Sequence, residues 1–234
     1  ERGAHSNQFA LPSTQKSYAP SLQLEPVHGE LHLQPDLDAE LLHSRVLWTI
    51  KSNVTGAKEI VFHAEDLTIV RVEDNTGMDI TTHYDGRLLT VCWSVPFERH
   101  ETRILNISTQ VQSPIAGLYF GGPSPELPNR GQWMATDHET TRARYWLPCI
   151  DHSNVRSTFV IHITHLRKHV AVSAGYLHSS TILSDTHQLS IWKLEKRCPI
   201  YLLCVIVGEY ERVDYEPLRD IPLAAFAPKG NNVE

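Results

Sequence analysis

The stretch Thr82-His83-Tyr84-Asp85-Gly86-Arg87-Leu88-Leu89-Thr90-Val91 places an Asp-Gly pair between two runs of alternating side chains. Alternation with a period of two indicates β-strands, because successive side chains of a strand point to opposite faces of the sheet. An Asp-Gly pair between two such runs predicts a hairpin with a type I′ turn. The stretch therefore predicts two antiparallel strands and makes β structure the starting point for the fold.

The same period of two recurs along the chain. Residues 27–34 alternate between an apolar set that includes Leu31 and Leu33 and a polar set that includes two histidines. Further strands are predicted at residues 45–50, 60–65, 102–111, 158–164, 170–174, 188–194 and 201–213. No stretch shows a long helical stripe, and many short strands without intervening helices favour sheets packed on sheets with mostly antiparallel pairing.

The composition excludes some functions. The chain has 234 residues, 41% of them hydrophobic, which is enough to bury a core. Its 21 Lys and Arg against 27 Asp and Glu give a net charge of −6, so it lacks the basic excess of a protein that binds nucleic acid. No apolar run is long enough to span a bilayer, so no membrane span is expected. Residues 1–22 have no apolar periodicity and are predicted to form an extended or partly disordered arm.

The cysteines bear on the compartment. The four cysteines form no Cys-x-x-Cys pair, and reduced thiols are expected rather than a disulfide scaffold. A cytoplasmic location is therefore expected. Secretion or a periplasmic location stays open, because the chain opens on Glu1 and carries sequon matches at residues 53–55 and 106–108.

Two histidine clusters suggest metal sites but lack the required pattern. His138-Glu139-Thr140-Thr141-Arg142 begins like the zinc signature His-Glu-x-x-His, but Arg142 is a permanent cation and cannot be the second ligand. The preceding residues 133–136 also favour a strand over the helix that the signature needs. His162, His165 and His169 form the second cluster, but His162 and His165 are three positions apart, and an odd separation on a strand puts side chains on opposite faces. No metal ligand is predicted from these clusters.

Motifs for self-contained catalysis are also missing from the sequence. It contains no Gly-x-Ser-x-Gly elbow, no Walker loop and no dinucleotide fingerprint. No catalytic residue is therefore predicted within the chain.

A family resemblance appears in the second half of the sequence. Residues 141–151, Thr-Arg-Ala-Arg-Tyr-Trp-Leu-Pro-Cys-Ile-Asp, resemble the Asp-Ala-Arg-x-x-Phe-Pro-Cys-x-Asp segment of the M1, gluzincin-type zinc aminopeptidases. Further similar pieces follow the family's order, at residues 117–120, 157–159, 170–175 and 201–211. The resemblance implies an all-β fold, a saddle-like sandwich of mixed and antiparallel sheets. It spans residues 23–230 as one N-terminal β domain, with residues 231–234 starting a linker to a catalytic domain.

The resemblance also implies a binding residue. Counted back from Pro148-Cys149, Glu139 falls on the family position that binds the free α-amino group of a peptide substrate, and Asp137 is a weaker candidate beside it. A carboxylate suits an ammonium group, because the two form charge-assisted hydrogen bonds. The alternative from the residues alone is that Glu139 pairs with Arg142 or Arg144 on an exposed strand.

Other residues in the same motif have structural interpretations. Arg144, Pro148, Cys149 and Asp151 are expected to be scaffold residues, with Asp151 capping a turn and Cys149 acting as a small buried apolar group. Tyr119 and Trp146 are expected to be core aromatics.

The resemblance implies an enzyme whose active centre lies elsewhere. It places Zn²⁺ and the catalytic residues in a catalytic domain after Glu234, so this chain alone is expected to bind no metal and to be inactive. Its partners would be the N-terminus of a peptide substrate and that catalytic domain. Two alternatives stay open: a non-catalytic scaffold, since the motif also resembles a TBP-associated subunit of TFIID, and a free-standing protein-binding β module.

Overall fold

The computed structural model describes residues 19–20 and 22–228. Within that part of the chain, strands alternate with turns, and the helical segments are two short 3₁₀ turns at Ala143–Tyr145 and Ile200–Leu202. The strands are β1 Leu24–Asp36, β2 Leu41–Ser52, β3 Glu59–His63, β4 Thr68–Asp74, β5 Ile80–Tyr84, β6 Leu88–Trp93, β7 Thr102–Gln112, β8 Gly117–Gly121, β9 Trp133–Asp137, β10 Arg156–Leu166, β11 Val170–Ser173, β12 Tyr176–Ile182, β13 His187–Pro199, β14 Val205–Gly208, β15 Tyr210–Leu218 and β16 Ile221–Pro228.

The largest sheet has seven strands in the order β12-β13-β10-β1-β2-β7-β4. Strands β1 and β10 pair in parallel, and every other pairing in this sheet is antiparallel. Side chains along β1 and β10 alternate between buried positions, such as Leu31 and Ile161, and partly exposed positions, such as His32 and His162. The main sheet is therefore mixed, with one apolar and one polar face.

Three smaller sheets complete the described part of the chain. A four-stranded sheet runs β11-β14-β9-β8, a three-stranded sheet runs β3-β6-β5, and β15 and β16 form a two-stranded ribbon. The four-stranded sheet positions the candidate site, because β9 leads directly into the motif at residues 138–151.

Trp48 on β2 shows how the sheets pack. Its ring lies 6.4 Å from Phe62 on β3 and 6.0 Å from Phe159 on β10, measured between ring centroids. Gly29 makes room for this ring, since a Cβ at that position would lie 2.8 Å from Trp48. The buried apolar residues of the main, three-stranded and four-stranded sheets form one continuous cluster. The predicted all-β sandwich of mixed and antiparallel sheets is confirmed.

The turn at the quoted hairpin differs from the prediction. Strands β5 and β6 pair as expected, and the Asp85 amide donates to the Leu88 carbonyl, so Gly86 and Arg87 are the central turn residues. Only Gly86 has a positive φ, of 92°, whereas a type I′ turn needs positive φ at both central residues. The type I′ prediction is therefore wrong, and the φ pattern is that of a type II′ turn. Within this turn, the Asp85 carboxylate accepts hydrogen bonds from the backbone N–H groups of Arg87 and Leu88.

One predicted strand is broken. Residues 201–213 were expected to be continuous, but the chain forms a 3₁₀ turn at Ile200–Leu202, then β14, and then β15 in a different sheet. The apolar run supplies core residues to both sides of the break, which is why its hydrophobicity alone suggests one strand.

The predicted arm at residues 1–22 lies outside the described residues except for residues 19, 20 and 22, and the predicted linker at 231–234 lies entirely outside them. Leu22 packs against the core, and its carbonyl accepts a hydrogen bond from the Asn53 side chain at 3.0 Å. In the part of the chain that is described, no helix has the length and apolar character to cross a membrane.

Candidate functional site

The candidate site is the turn that follows β9. Asp137 is the last residue of β9, residues 138–142 form the turn, and the 3₁₀ segment Ala143–Tyr145 follows. Strand β9 lies between β14 and β8, with Asp137 paired to Gly117. Backbone pairing with β8 therefore fixes the base of the turn at Asp137, whereas the pairing of β9 with β14 ends at Ala135.

His138 holds the turn to the core. Its ring is buried and stacks on Trp146 with centroids 5.6 Å apart. The Trp146 indole Nε1–H donates to His138 Nε2 at 2.7 Å. Burial lowers the pKa of His138 to about 4, with the nearby Asp137 charge acting in the opposite direction. His138 is therefore a neutral hydrogen-bond acceptor in the core.

Glu139 points away from this core. The residue is exposed, and its backbone N–H donates to Asp137 Oδ1 at 3.5 Å. The Glu139–Thr140 peptide bond is cis. Among residues 19–20 and 22–228, the Glu139 carboxylate forms no ion pair or hydrogen bond with another residue. The turn thus presents an unpaired carboxylate directly beside a buried, immobilised residue.

Both arginines that could have neutralised Glu139 are engaged elsewhere. Arg142 Nη1 lies 3.6 Å from Asp137 Oδ2, and Arg144 Nε lies 3.1 Å from Asp151 Oδ2. The alternative in which Glu139 merely pairs with Arg142 or Arg144 is therefore not what the structure contains. Asp137 has its own arginine, which distinguishes it from Glu139.

The rest of the motif is scaffold. The Trp48 indole donates to the Pro148 carbonyl at 3.0 Å, and the backbone groups of Cys149 and His63 exchange two hydrogen bonds at 2.8 and 3.0 Å. Trp146 is fully buried, whereas Tyr119 is only partly buried. These contacts fix residues 146–149 to β2 and β3 beneath the turn.

Asp151 does more than the predicted cap. Its Oδ2 accepts from the backbone N–H of Arg144 at 3.3 Å and also pairs with the Arg144 guanidinium. Its own N–H donates to His63 Nδ1 at 3.1 Å. Asp151 therefore joins the 3₁₀ segment through its carboxylate and β3 through its backbone N–H.

The surroundings of Gly117 explain why the β8 motif begins with a glycine. Its φ is +78°, and a Cβ there would lie 1.9 Å from the carbonyl oxygen of Arg142. Only glycine permits this close approach of β8 to the turn.

The geometry of the two histidine clusters supports their rejection as metal sites. His138 Nε2 is occupied by Trp146, and His162 and His165 lie on opposite faces of β10, the first partly exposed and the second buried. The residues around the His-Glu-x-x-Arg stretch therefore do not fit a zinc ion.

A different group of possible ligands does come together. Among the described residues, Glu30, His32 and His162 place ligand atoms within 4.8 Å of one another. Sequence reasoning missed this group because its members lie on β1 and β10, whose parallel pairing has no local sequence signal. Alternation alone would have placed all three on polar strand faces.

Comparison with solved structures supports the fold. An M1 zinc metallopeptidase from Deinococcus radiodurans superposes with a TM-score of 0.72 at 21% identity, covering 91% of this chain and 50% of that protein. A mutant of the D. radiodurans enzyme bound to a Tyr-Ser-Ala substrate gives a TM-score of 0.71 at 22% identity, covering 91% of this chain and 50% of that one.

Curated relatives are named aminopeptidases. The chain is 30% identical over 222 residues to glutamyl aminopeptidase of Bos taurus, and 25% identical over 218 residues to glutamyl aminopeptidase of Bitis rhinoceros. Each alignment covers 87% of this chain but only 22% of the relative, so the chain spans less than a quarter of their length. The profile of the Peptidase M1 N-terminal domain matches residues 25–202, which is more than half of the chain. The chain belongs to the Peptidase M1 N-terminal domain family.

Proposed function

We propose that this chain is the substrate-anchoring N-terminal domain of a zinc-dependent aminopeptidase and that Glu139 binds the free α-amino group of a peptide substrate. One observation carries the proposal: the carboxylate of Glu139 is exposed and unpaired, on a turn whose neighbouring His138 is locked in the core. A fixed backbone with a free charged group is the arrangement that binding an external cation needs.

The chemistry fits an ammonium ligand. The carboxylate can accept charge-assisted hydrogen bonds from the three N–H groups of a peptide N-terminus. Such bonds strengthen when water is excluded, and on this chain alone Glu139 is exposed. A second domain would therefore have to cover the turn to give the anchor its full strength. Holding the terminal amine at a fixed point would also select which peptide bond reaches the reactive centre.

Asp137 has a supporting role in this proposal. One of its oxygens lies near Arg142 and the other accepts the Glu139 amide, so it orients the turn and is already partly neutralised. It is a weaker ammonium ligand than Glu139 for that reason.

The zinc in this proposal belongs to a catalytic domain of the same polypeptide. The relatives carry the name aminopeptidase, and the chain covers 22% of their length. Bound zinc would polarise the scissile carbonyl and supply a nucleophilic water. The task of this chain is to position the substrate, and it contributes no catalytic residue. Nucleic acid is not a partner in this proposal, because the sequence lacks the basic excess of a protein that binds it.

A cytoplasmic location is part of the proposal. It is supported by the four cysteines, Cys92, Cys149, Cys198 and Cys204, which are all free thiols. Asn106 of the second sequon is buried and hydrogen-bonded to Glu73, which makes it a poor glycosylation acceptor.

The test compares carboxylate variants in the full-length polypeptide that carries this domain. Glu139→Ala should lower kcat/KM for peptides with a free N-terminus by about 10- to 100-fold, because one charge-assisted contact is lost. Glu139→Gln should lie between the wild type and Glu139→Ala, since the amide still accepts a hydrogen bond. An N-acetylated peptide, which lacks the ammonium, should remain a poor substrate for all three proteins.

Glu216→Ala is the matched control, because Glu216 is also exposed but lies on β15. It should leave kcat/KM unchanged, and the melting temperatures of all variants should agree within about 1 °C. An unchanged kcat/KM in Glu139→Ala would show that Glu139 does not bind the α-amino group of the substrate. A wild-type full-length protein without peptidase activity would favour the non-catalytic scaffold instead.

A further inference from the structure

The outer face of the main sheet brings together three side chains with metal-binding atoms. Glu30 and His32 are two positions apart on β1 and therefore share a face, and His162 on β10 is the parallel partner of His32. The rings of His32 and His162 stack with centroids 4.4 Å apart. Glu30 completes the group from the same side of the sheet.

The distances are close to those of a coordination sphere. His32 Nε2 lies 2.9 Å and His162 Nε2 lies 3.3 Å from the same oxygen, Glu30 Oε1. Zinc binds nitrogen and oxygen ligands at about 2.0–2.2 Å, which requires ligand atoms roughly 3.0–3.5 Å apart. The pair with His162 already meets this spacing, the pair with His32 is slightly closer, and the two histidine nitrogens lie within 4.8 Å of each other. Rotation of the two imidazoles about their side-chain bonds would bring the nitrogens together.

The surroundings leave the site accessible. All three residues are partly exposed, so a hydrated ion can reach them, and the two histidines also line a cavity of about 300 Å³. Waters in the cavity could fill the remaining coordination positions.

We propose that Glu30, His32 and His162 form a binding site for a divalent transition metal ion, with Zn²⁺ as the best match to two imidazoles and one carboxylate. The ion would cross-link β1 and β10. This is the parallel pair that joins β1-β2-β7-β4 to β10-β13-β12 in the seven-stranded sheet. Its role is structural, since it holds the two parts of the sheet in register.

Arg45 provides a specific test of the charge at the site. It lies opposite His32 on β2, on the same face, and its guanidinium is a permanent cation. A cation there weakens the binding of a second cation, so Arg45→Gln should tighten Zn²⁺ binding about three- to tenfold. A group that serves only as an internal hydrogen-bond cluster would show no such gain in affinity.

The experiment titrates the full 234-residue chain with ZnCl₂ by calorimetry after treatment with EDTA. One ion should bind per chain, and His32→Gln or His162→Gln should weaken binding by about tenfold or more. Co²⁺ should give visible absorption bands that the same variants lose. Zn²⁺ at ten times its Kd should raise the melting temperature of the wild type by about 3–6 °C, and EDTA should reverse the shift.

His83→Gln and His178→Gln are the matched controls, since both histidines are exposed and lie outside the β1–β10 pair, on β5 and β12. They should bind Zn²⁺ like the wild type. Circular dichroism checks that each variant is folded. The proposal is overturned if the wild type binds no Zn²⁺, or if His162→Gln binds it as tightly as His178→Gln does.

Discussion

Asp151 is the residue on which the motif beneath the candidate site depends. It is almost fully buried, and its Oδ2 lies 3.1 Å from Arg144 Nε, whereas the Arg144 side chain is 20% exposed. Removing the charge of Asp151 leaves a mostly buried guanidinium without its partner. We expect Asp151→Asn to lower the free energy of unfolding by about 2–4 kcal/mol, less than a fully buried pair would lose, because Arg144 is partly solvated.

Urea denaturation of the two proteins measures this difference. Asp214→Asn is the control, since Asp214 pairs with Arg212 on the surface, where the side chains are 66% and 51% exposed. It should change the free energy of unfolding by less than about 1 kcal/mol. Equal effects of the two substitutions would mean that the pairing of Asp151 with Arg144 does not stabilise the motif.

At the scale of elements, the approach of β8 to the turn at 138–142 decides where Glu139 lies. Gly117→Ala introduces a Cβ 1.9 Å from the Arg142 carbonyl oxygen and a side chain at positive φ. Either the strand or the turn must move. We expect a loss of about 3 kcal/mol in the free energy of unfolding and, if Glu139 is the proposed anchor, a lower affinity of the full-length protein for peptides with a free N-terminus.

Gly77→Ala separates the two causes of this loss. Gly77 also has a positive φ, of 84°, but a Cβ there would meet no atom within 4 Å. That variant should lose only about 1 kcal/mol, the cost of the backbone conformation. If both variants lose the same amount in urea denaturation, close packing of β8 on the turn is not the reason for the glycine.

The same scale shows what sequence patterns can predict. Strands β1, β2, β7 and β10 are central in the main sheet and alternate between buried and more exposed side chains along most of their length, so their period of two is visible. Strand β12 at one edge and β4 at the other have no buried residue. Edge strands do not need an apolar face, which is why alternation does not reveal them.

At the scale of the whole molecule, pairing between distant strands determines which residues meet. The turn that presents Glu139 is local in sequence, and a family motif of a few residues is enough to mark Glu139 as the candidate anchor. Glu139 is unpaired because Arg142 pairs with Asp137 and Arg144 pairs with Asp151. These two ion pairs form only in the folded chain. The Glu30, His32 and His162 group depends on the parallel register of β1 and β10, which no spacing rule supplies.

The many histidines give the molecule a predictable response to acid. Three of them are held neutral: His63 Nδ1 accepts the Asp151 amide, His138 Nε2 accepts the Trp146 indole, and His165 lies within hydrogen-bond distance of Ser190 and Leu166. Burial lowers the pKa of all three, with Arg144 adding to the effect at His63, and the pKa of His138 falls to about 4. The unfolded chain therefore binds more protons than the folded one below about pH 6.5.

Stability should accordingly be highest above about pH 6.5 and fall as the pH is lowered toward 4, since the unfolded state gains protons first. His138 alone should account for about 3 kcal/mol of this loss, from a pKa of 6.5 unfolded to about 4 folded. Urea denaturation at pH 7.0, 5.5 and 4.5, with EDTA present, measures the slope. His138→Phe should show a shallower decline over this range than the wild type, although its absolute stability is lower because the Trp146 indole loses its acceptor. A wild-type protein that becomes more stable between pH 7 and pH 5 would contradict the neutral state of these histidines.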